Sequence, residues 1–178
     1  MNISKLAKNI KILALDVDGV LTDGSLSFLD NGQELKTFNA KDGQGIVCLN
    51  NAGFITVIIT ARKSATVEYR ANNLGITEFH QGVKYKLVVL EDILKKYNLT
   101  FDNVAYMGDD LPDICILEKV GLSCCPNDAV KEVQAVCKFK SKYNGGRGAV
   151  REVCDLILKN HNINSVDVVK KMQLESLK

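Results

Sequence analysis

A chain of 178 residues, 46% hydrophobic and 25% charged, carries enough apolar material for one soluble globular domain. Its formal net charge of +2, with no block of Lys or Arg, argues against a nucleic-acid partner, and no apolar run approaches the roughly 20 residues of a membrane span. Six cysteines without metal-type spacing, in a chain with no signal-peptide pattern, read as reduced thiols of a cytoplasmic protein.

The N-terminal MNISKLAKNIK is basic and amphipathic, and KILALD over 11–16 predicts a buried strand. SLSFLDNGQELKTF, 25–38, predicts a hairpin that turns at Asp30-Asn31-Gly32. A short helix over 43–52 closes at Gly53, FITVIIT over 54–60 is a second buried strand, and a helix over 63–74 stops at Gly75. A short strand near ITEFH, a helix over 84–97, a strand over 103–108 and a helix over 111–120 follow. The remainder reads as a small strand GLSCC, a helix near 128–135, a flexible NGGRG loop over 144–148 and a closing helix AVREVCDLILKN. Alternation of strands with helices predicts an α/β fold with a mainly parallel sheet covered on both faces. Residues 1–160 form the single domain in this reading, and 161–178 form a polar tail or an extra short helix.

Open α/β sheets bind ligands beyond the carboxyl ends of their strands. Three such ends carry unusual polar residues: Asp16-Val17-Asp18, Thr60 and Gly108-Asp109-Asp110. Side chains two apart on extended chain share a face, so Asp16 and Asp18 can enter one crevice, while Gly19 lets the backbone turn towards a ligand. Converging carboxylates repel one another unless a cation or protons intervene. An all-oxygen set suits a hard ion, and Mg²⁺ commonly combines one or two carboxylates with substrate phosphate oxygens. Lys86 and Thr60 are candidate phosphate donors. One carboxylate can attack phosphorus, and the other can protonate the leaving oxygen and then activate water.

These motifs, LDVDGVLTD, IIT, Lys86 and GDDLPD in this order, resemble the haloacid dehalogenase superfamily of phosphatases. The resemblance implies a Rossmann-like, capless fold with a β-hairpin after the first strand. It implies Asp16 as nucleophile, Asp18 as general acid/base, Thr60 and Lys86 on the phosphate, and Mg²⁺ held by Asp16, the Asp18 carbonyl and Asp109, with Asp113 in support. FNAKDGQGI, ITARKS, VAYMGDDLPD and GGRGAVREVCDLIL further resemble the family of 3-deoxy-D-manno-octulosonate 8-phosphate phosphatases, over residues 10 to 160. That family implies an anionic sugar-acid phosphate as substrate, a place in lipopolysaccharide core synthesis, and a homotetramer in which a neighbour's hairpin and Gly-rich tail help close each site. It further implies substrate contacts from Asp18, Asn39, Ala40, Lys41, Asp42, Gly43, Arg62, Arg70, Lys86 and Arg147. Two positions depart from the family pattern. Ala61 stands where Gly is usual and still supplies its N–H, and Val47 stands where many members carry an arginine, which bears on sugar specificity.

Plainer readings compete at several positions. Asp110 and Asp113 suit a helix N-terminus electrostatically, and Arg62 and Arg70 suit a solvated helix face. His80 and His161 lack a partner at ligand spacing and read as structural. At the level of function, the alternatives are the same chemistry on a nine-carbon ulosonate 9-phosphate, a phospho-acceptor signalling domain and a non-catalytic scaffold. The motif order argues against the signalling domain, because a receiver would carry its acceptor aspartate where this chain has Thr60.

Overall fold

The computed structural model describes residues 2–177. In chain order these form α1 (Ile3–Ala7), β1 (Ile12–Leu15), a hairpin of β2 (Ser27–Phe28) and β3 (Glu34–Leu35), α2 (Ala40–Asn51), β4 (Ile55–Thr60) and α3 (Ala65–Leu74). There follow β5 (Glu78–Gln81), α4 (Lys86–Tyr97), β6 (Val104–Met107), α5 (Ile114–Leu117), β7 (Leu122–Cys125), α6 (Lys131–Val136), β8 (Phe139–Lys140), α7 (Ala149–Asn160) and α8 (Ser165–Glu175). Strands β5-β4-β1-β6-β7-β8 make one parallel six-stranded sheet, and β2-β3 pair antiparallel apart from it.

The chain steps outward from β1 through β4 to β5, then returns to the other side of β1 for β6, β7 and β8. The strand order therefore reverses between β1 and β6, which pair Leu15 with Met107. Such a reversal opens a crevice at the carboxyl ends of the two strands.

Alternate side chains of β1 feed two cores. Leu13 and Leu15 pack with Ile46 and Leu49 of α2 and with Val150, Val153 and Ile157 of α7. Ile12 and Ala14 face the other way, towards Leu90, Ile93 and Leu94 of α4, Ile116 and Leu117 of α5 and Val133 of α6. Continuous burial along β1 and β6 is thus the signature of a sheet covered on both faces.

Several boundaries differ from those expected. The basic N-terminus forms α1, capped by Asn2, whose side chain accepts from the Lys5 N–H. Helix α2 begins at Ala40, because the Asn39 side chain accepts from the N–H groups of Lys41 and Asp42. The helix expected over 111–120 breaks into a 3-10 turn at Leu111–Asp113 and the short α5, with Pro112 in the first turn. The two residues of β8, Phe139 and Lys140, are too few to carry a period. Residues 165–175 form α8, capped by Asn164, with Ile163, Val168 and Val169 against the core. His161 lies edge-on to Phe54, with its Nε2 3.1 Å from the Ala7 carbonyl oxygen, which ties α7 to α1.

Asp42 joins α2 to α7. Its carboxylate accepts from the backbone N–H of Arg151 at 2.7 Å and of Gly148 at 3.1 Å, satisfying donors at the start of α7. Asp42 is buried, and burial pushes its carboxyl above the usual value despite these donors. Asp42→Ala should leave those half-buried N–H groups without their acceptor and cost about 1 kcal/mol in urea unfolding; a change within a few tenths would deny the cap its role.

Candidate active site

Asp16 is the first residue beyond β1, and its N–H donates to the Met107 carbonyl across the crevice. Two residues on, Asp18 points into the same cavity of about 280 Å³, lined also by Thr60, Arg62, Lys86 and Asp109. Gly19 has φ +78°, and a Cβ there would lie 2.0 Å from Asp109 Oδ2. A side chain at this position would therefore displace Asp109. Thr22 ties the turn, accepting from Gly19 N–H at 3.3 Å and Gly24 N–H at 3.2 Å.

Lys86, at the first position of α4, is nearly fully buried. Its Nζ lies 2.7 Å from Asp16 Oδ2 and 2.8 Å from Asp113 Oδ1, bridging the two carboxylates. Asp113 is fully buried and accepts from every side: the Tyr106 hydroxyl at 2.6 Å, the Asp109 N–H at 3.1 Å and, more weakly, the Asp110 N–H at 3.5 Å. Asp110 caps the 3-10 turn through the Leu111 N–H at 2.7 Å. A Cβ on Gly108 would fall 2.4 Å from the Asp113 side chain, so glycine is what fits before the acidic pair.

Burial, and then the charge of Asp113, raise the Asp16 carboxyl to about 6, although Lys86 opposes the shift. Burial together with Asp16, Asp113 and Asp110 raises Asp109 to about 7. Burial works to lower Lys86, but the two carboxylates it bridges outweigh that and hold it above its ordinary value. The Tyr106 phenol is pushed up by burial and then by Asp113 and Asp16. One carboxylate oxygen from each of Asp16, Asp109 and Asp113 lies within 4.8 Å of the others. Three acids against one lysine leave negative charge uncompensated, and oxygen donors alone suit a hard divalent cation. The residues fit Mg²⁺.

Asp18 lies in a separate ionic group. Its Oδ1 accepts from the Lys36 amine, and its Oδ2 faces Arg62 Nε at 3.9 Å. Glu34 completes the group, 3.3 Å from Lys36 and 2.8 Å from Arg62. The sequence reading overlooked Lys36 because a hairpin lysine ordinarily points to solvent. The available signal was the Glu34-Leu35-Lys36 alternation, which puts both charges on one face. Tyr106 was overlooked too; a tyrosine in a buried strand requires a hydroxyl partner.

Thr60, the last residue of β4, lines the cavity. The remaining expected substrate residues lie outside it. Asn39 caps α2 and donates to the Gly146 carbonyl at 3.3 Å, while Ala40 and Lys41 are exposed beyond it. Asp42 is committed to α7, and Val47 packs against the core. A Cβ on Gly43 would meet Arg70 Nη2 at 2.2 Å. Arg70 lines a second cavity with Phe38, Ala40 and Tyr69, its guanidinium 6.0 Å from the Phe38 ring centroid. Arg147 pairs with Asp23 at 3.1 Å near the surface.

The Gly-rich loop nonetheless touches the site through its backbone. A Cβ on Gly145 would lie 1.8 Å from the Gly19 carbonyl oxygen, one on Gly146 would lie 2.6 Å from the Thr22 carbonyl carbon, and the Gly146 N–H donates to Val20 at 2.9 Å. Two adjacent glycines let main chain press on the turn that carries Asp16 and Asp18.

Residues 79–153 match a haloacid dehalogenase-like hydrolase family model. The chain is 49% identical over 152 residues to the 3-deoxy-D-manno-octulosonate 8-phosphate phosphatase KdsC of Escherichia coli, covering 85% of this chain and 81% of that protein. It superposes on the Moraxella catarrhalis 3-deoxy-D-manno-octulosonate 8-phosphate phosphatase, solved in complex with magnesium ion, phosphate ion and KDO. There the TM-score is 0.90 at 40% identity, over 96% of this chain and 97% of that one. The cobalt-bound form of the Haemophilus influenzae phosphatase gives a TM-score of 0.84 at 35% identity, over 88% and 92%.

Gly145→Ala should force the Gly19 turn aside. The expected result is a loss of about 1–3 kcal/mol in unfolding free energy together with weaker Mg²⁺ binding by titration calorimetry. Unchanged stability and unchanged binding would mean that the loop does not brace the turn.

Proposed function

The chain belongs to the 3-deoxy-D-manno-octulosonate 8-phosphate phosphatases, a group of haloacid dehalogenase-like hydrolases, and on that premise we propose how its own residues divide the work. It is a phosphoric monoester hydrolase that converts 3-deoxy-D-manno-octulosonate 8-phosphate into the free sugar acid and phosphate, with Mg²⁺ as cofactor. The observation that carries the reading is the bridging of Asp16 and Asp113 by one buried ammonium, with Asp109 offering a carboxylate oxygen within 4.8 Å of both.

Lys86 holds Asp16 Oδ2 in a fixed direction, and the Asp16 carboxylate bonds to phosphorus as the ester P–O bond breaks. Asp18 gives its proton to the departing alkoxide. It then takes a proton from a water molecule whose oxygen bonds to phosphorus as the Asp16–phosphorus linkage breaks. Both carboxyl groups are thereby returned to their starting states. The Thr60 hydroxyl, the Ala61 N–H and the Lys86 ammonium bind the phosphate oxygens. Asp16, Asp109 and, in support, Asp113 would hold Mg²⁺ together with the Asp18 carbonyl that the resemblance implies, and the ion would neutralise charge between nucleophile and phosphoryl group.

Arg62, on the cavity wall, is the donor suited to the sugar carboxylate. Arg147, exposed in the Gly-rich tail outside its own cavity, is the residue placed to serve a neighbouring site within a homotetramer. The hairpin region exposes four apolar side chains, Leu26, Phe28, Leu29 and Leu35, which supports an interface there. Six free cysteines support a reducing, cytoplasmic setting. No helix among the described residues is long and apolar enough to cross a membrane. The eight-carbon ester is preferred over a nine-carbon one because the relatives above are named for it.

Asp16→Asn should lower kcat by roughly 10³-fold or more while leaving the circular dichroism spectrum unchanged; substantial turnover would remove Asp16 as nucleophile. A chelator should abolish activity and added Mg²⁺ should restore it. The double change Phe28→Asp with Leu35→Asp should reduce the particle mass measured by light scattering. An unchanged mass would take the hairpin out of the interface.

A further inference from the structure

The Lys36 side chain is 1% exposed, although it stems from a hairpin whose tip is solvated. A buried ammonium is costly unless paired, and Lys36 has two partners, Asp18 Oδ1 and Glu34 Oε2. Glu34 is held in turn by Arg62 at 2.8 Å. Asp18, Lys36, Glu34 and Arg62 thus close a ring of contacts. Its two contacts with Asp18 are unequal. Oδ1 accepts directly from the amine, whereas Oδ2 has only the Arg62 Nε at 3.9 Å, beyond hydrogen-bond reach. One oxygen of the carboxylate is anchored and the other is left with a free lone pair in the cavity.

We propose that Lys36 is the positioning residue for proton transfer: its buried amine anchors Asp18 Oδ1, so that Oδ2 carries the proton delivered to the departing alkoxide. The inference rests on Asp18 being the acid/base of the proposed function. As the ester P–O bond breaks, its electron pair goes to the leaving oxygen, which takes the proton from Oδ2. Lys36 keeps its own proton throughout. The hairpin thereby has a task within its own subunit, since the residue that follows β3 orients the acid.

The test compares two esters that differ in their need for a proton. An alkyl phosphate such as the sugar ester requires protonation of its leaving oxygen, whereas p-nitrophenyl phosphate releases a phenolate that is stable without it. Lys36→Met should lower kcat/KM on the alkyl ester about tenfold or more beyond its effect on the aryl ester, and Lys36→Arg should recover part of that difference. Losses equal on the two esters, or no loss on either, would overturn the proposal and leave Lys36 as a fastener of the hairpin. Combined with Asp18→Asn, Lys36→Met should add no further discrimination between the esters, because the group it orients is gone; added discrimination would also overturn it. Should the Met variant unfold, Glu34→Gln loosens the same amine and should shift the ratio in the same direction, with equal losses again contradicting the proposal. Wild-type hydrolysis of both esters tests the function itself, separately from the ratio that tests Lys36.

Discussion

Carboxylates crowd the carboxyl ends of β1 and β6, and their mutual repulsion is answered by few, deeply placed cations. Lys86 bridges Asp16 and Asp113 from the start of α4, and Lys36 reaches Asp18 from the hairpin. Each lysine is almost fully shielded from solvent, where a charge interacts more strongly than at the surface. Even so, Asp16 and Asp109 are raised by burial and by neighbouring acids, so the site retains an appetite for a further cation. A divalent ion relieves the acids, and in the proposed function the phosphate then meets that ion, Lys86 and Thr60.

Holding the acids in place falls to parts of the fold that have no chemistry of their own. Asp113 is fixed by Tyr106 from β6 and by the backbone N–H groups of the turn that carries Asp109. The turn after β1 is tied by Thr22 and pressed by Gly145 and Gly146 from the other end of the domain. That glycine pair is set in turn by the start of α7, where the carboxylate of Asp42 receives the Gly148 and Arg151 N–H groups. Asn39, Asp42 and the Gly-rich loop thus brace the site from behind.

Much of this was legible in the sequence. The two-residue spacing of Asp16 and Asp18 after an apolar run, the Thr60 that ends β4 and the glycine before Asp109 each follow from strand geometry. The parallel sheet is legible from the alternation of strands and helices. What escaped depends on contacts between distant segments. Lys36 and Asp18 are 18 positions apart, and Asp42 meets α7 across more than a hundred residues. Neither pairing leaves a periodic trace. Asp42, Gly43 and Arg70 illustrate the converse: a resemblance named them as substrate residues, and within a single chain they occupy packing and capping positions outside the cavity. Local boundaries failed where side-chain caps or Pro112 overrode the hydrophobic pattern, as at Asn39 and Leu111.

Whether Asp16 carries the phosphoryl group can be measured directly. In an Asp18→Asn variant the second step loses the base proposed to activate water, so p-nitrophenyl phosphate, whose phenolate leaves without a proton, added with Mg²⁺ and quenched in acid should leave a phosphoryl adduct that peptide mass spectrometry locates on Asp16. An adduct on another residue, or phosphate release by this variant in a burst equal to enzyme with no adduct at any time, would contradict the division of roles between the two aspartates.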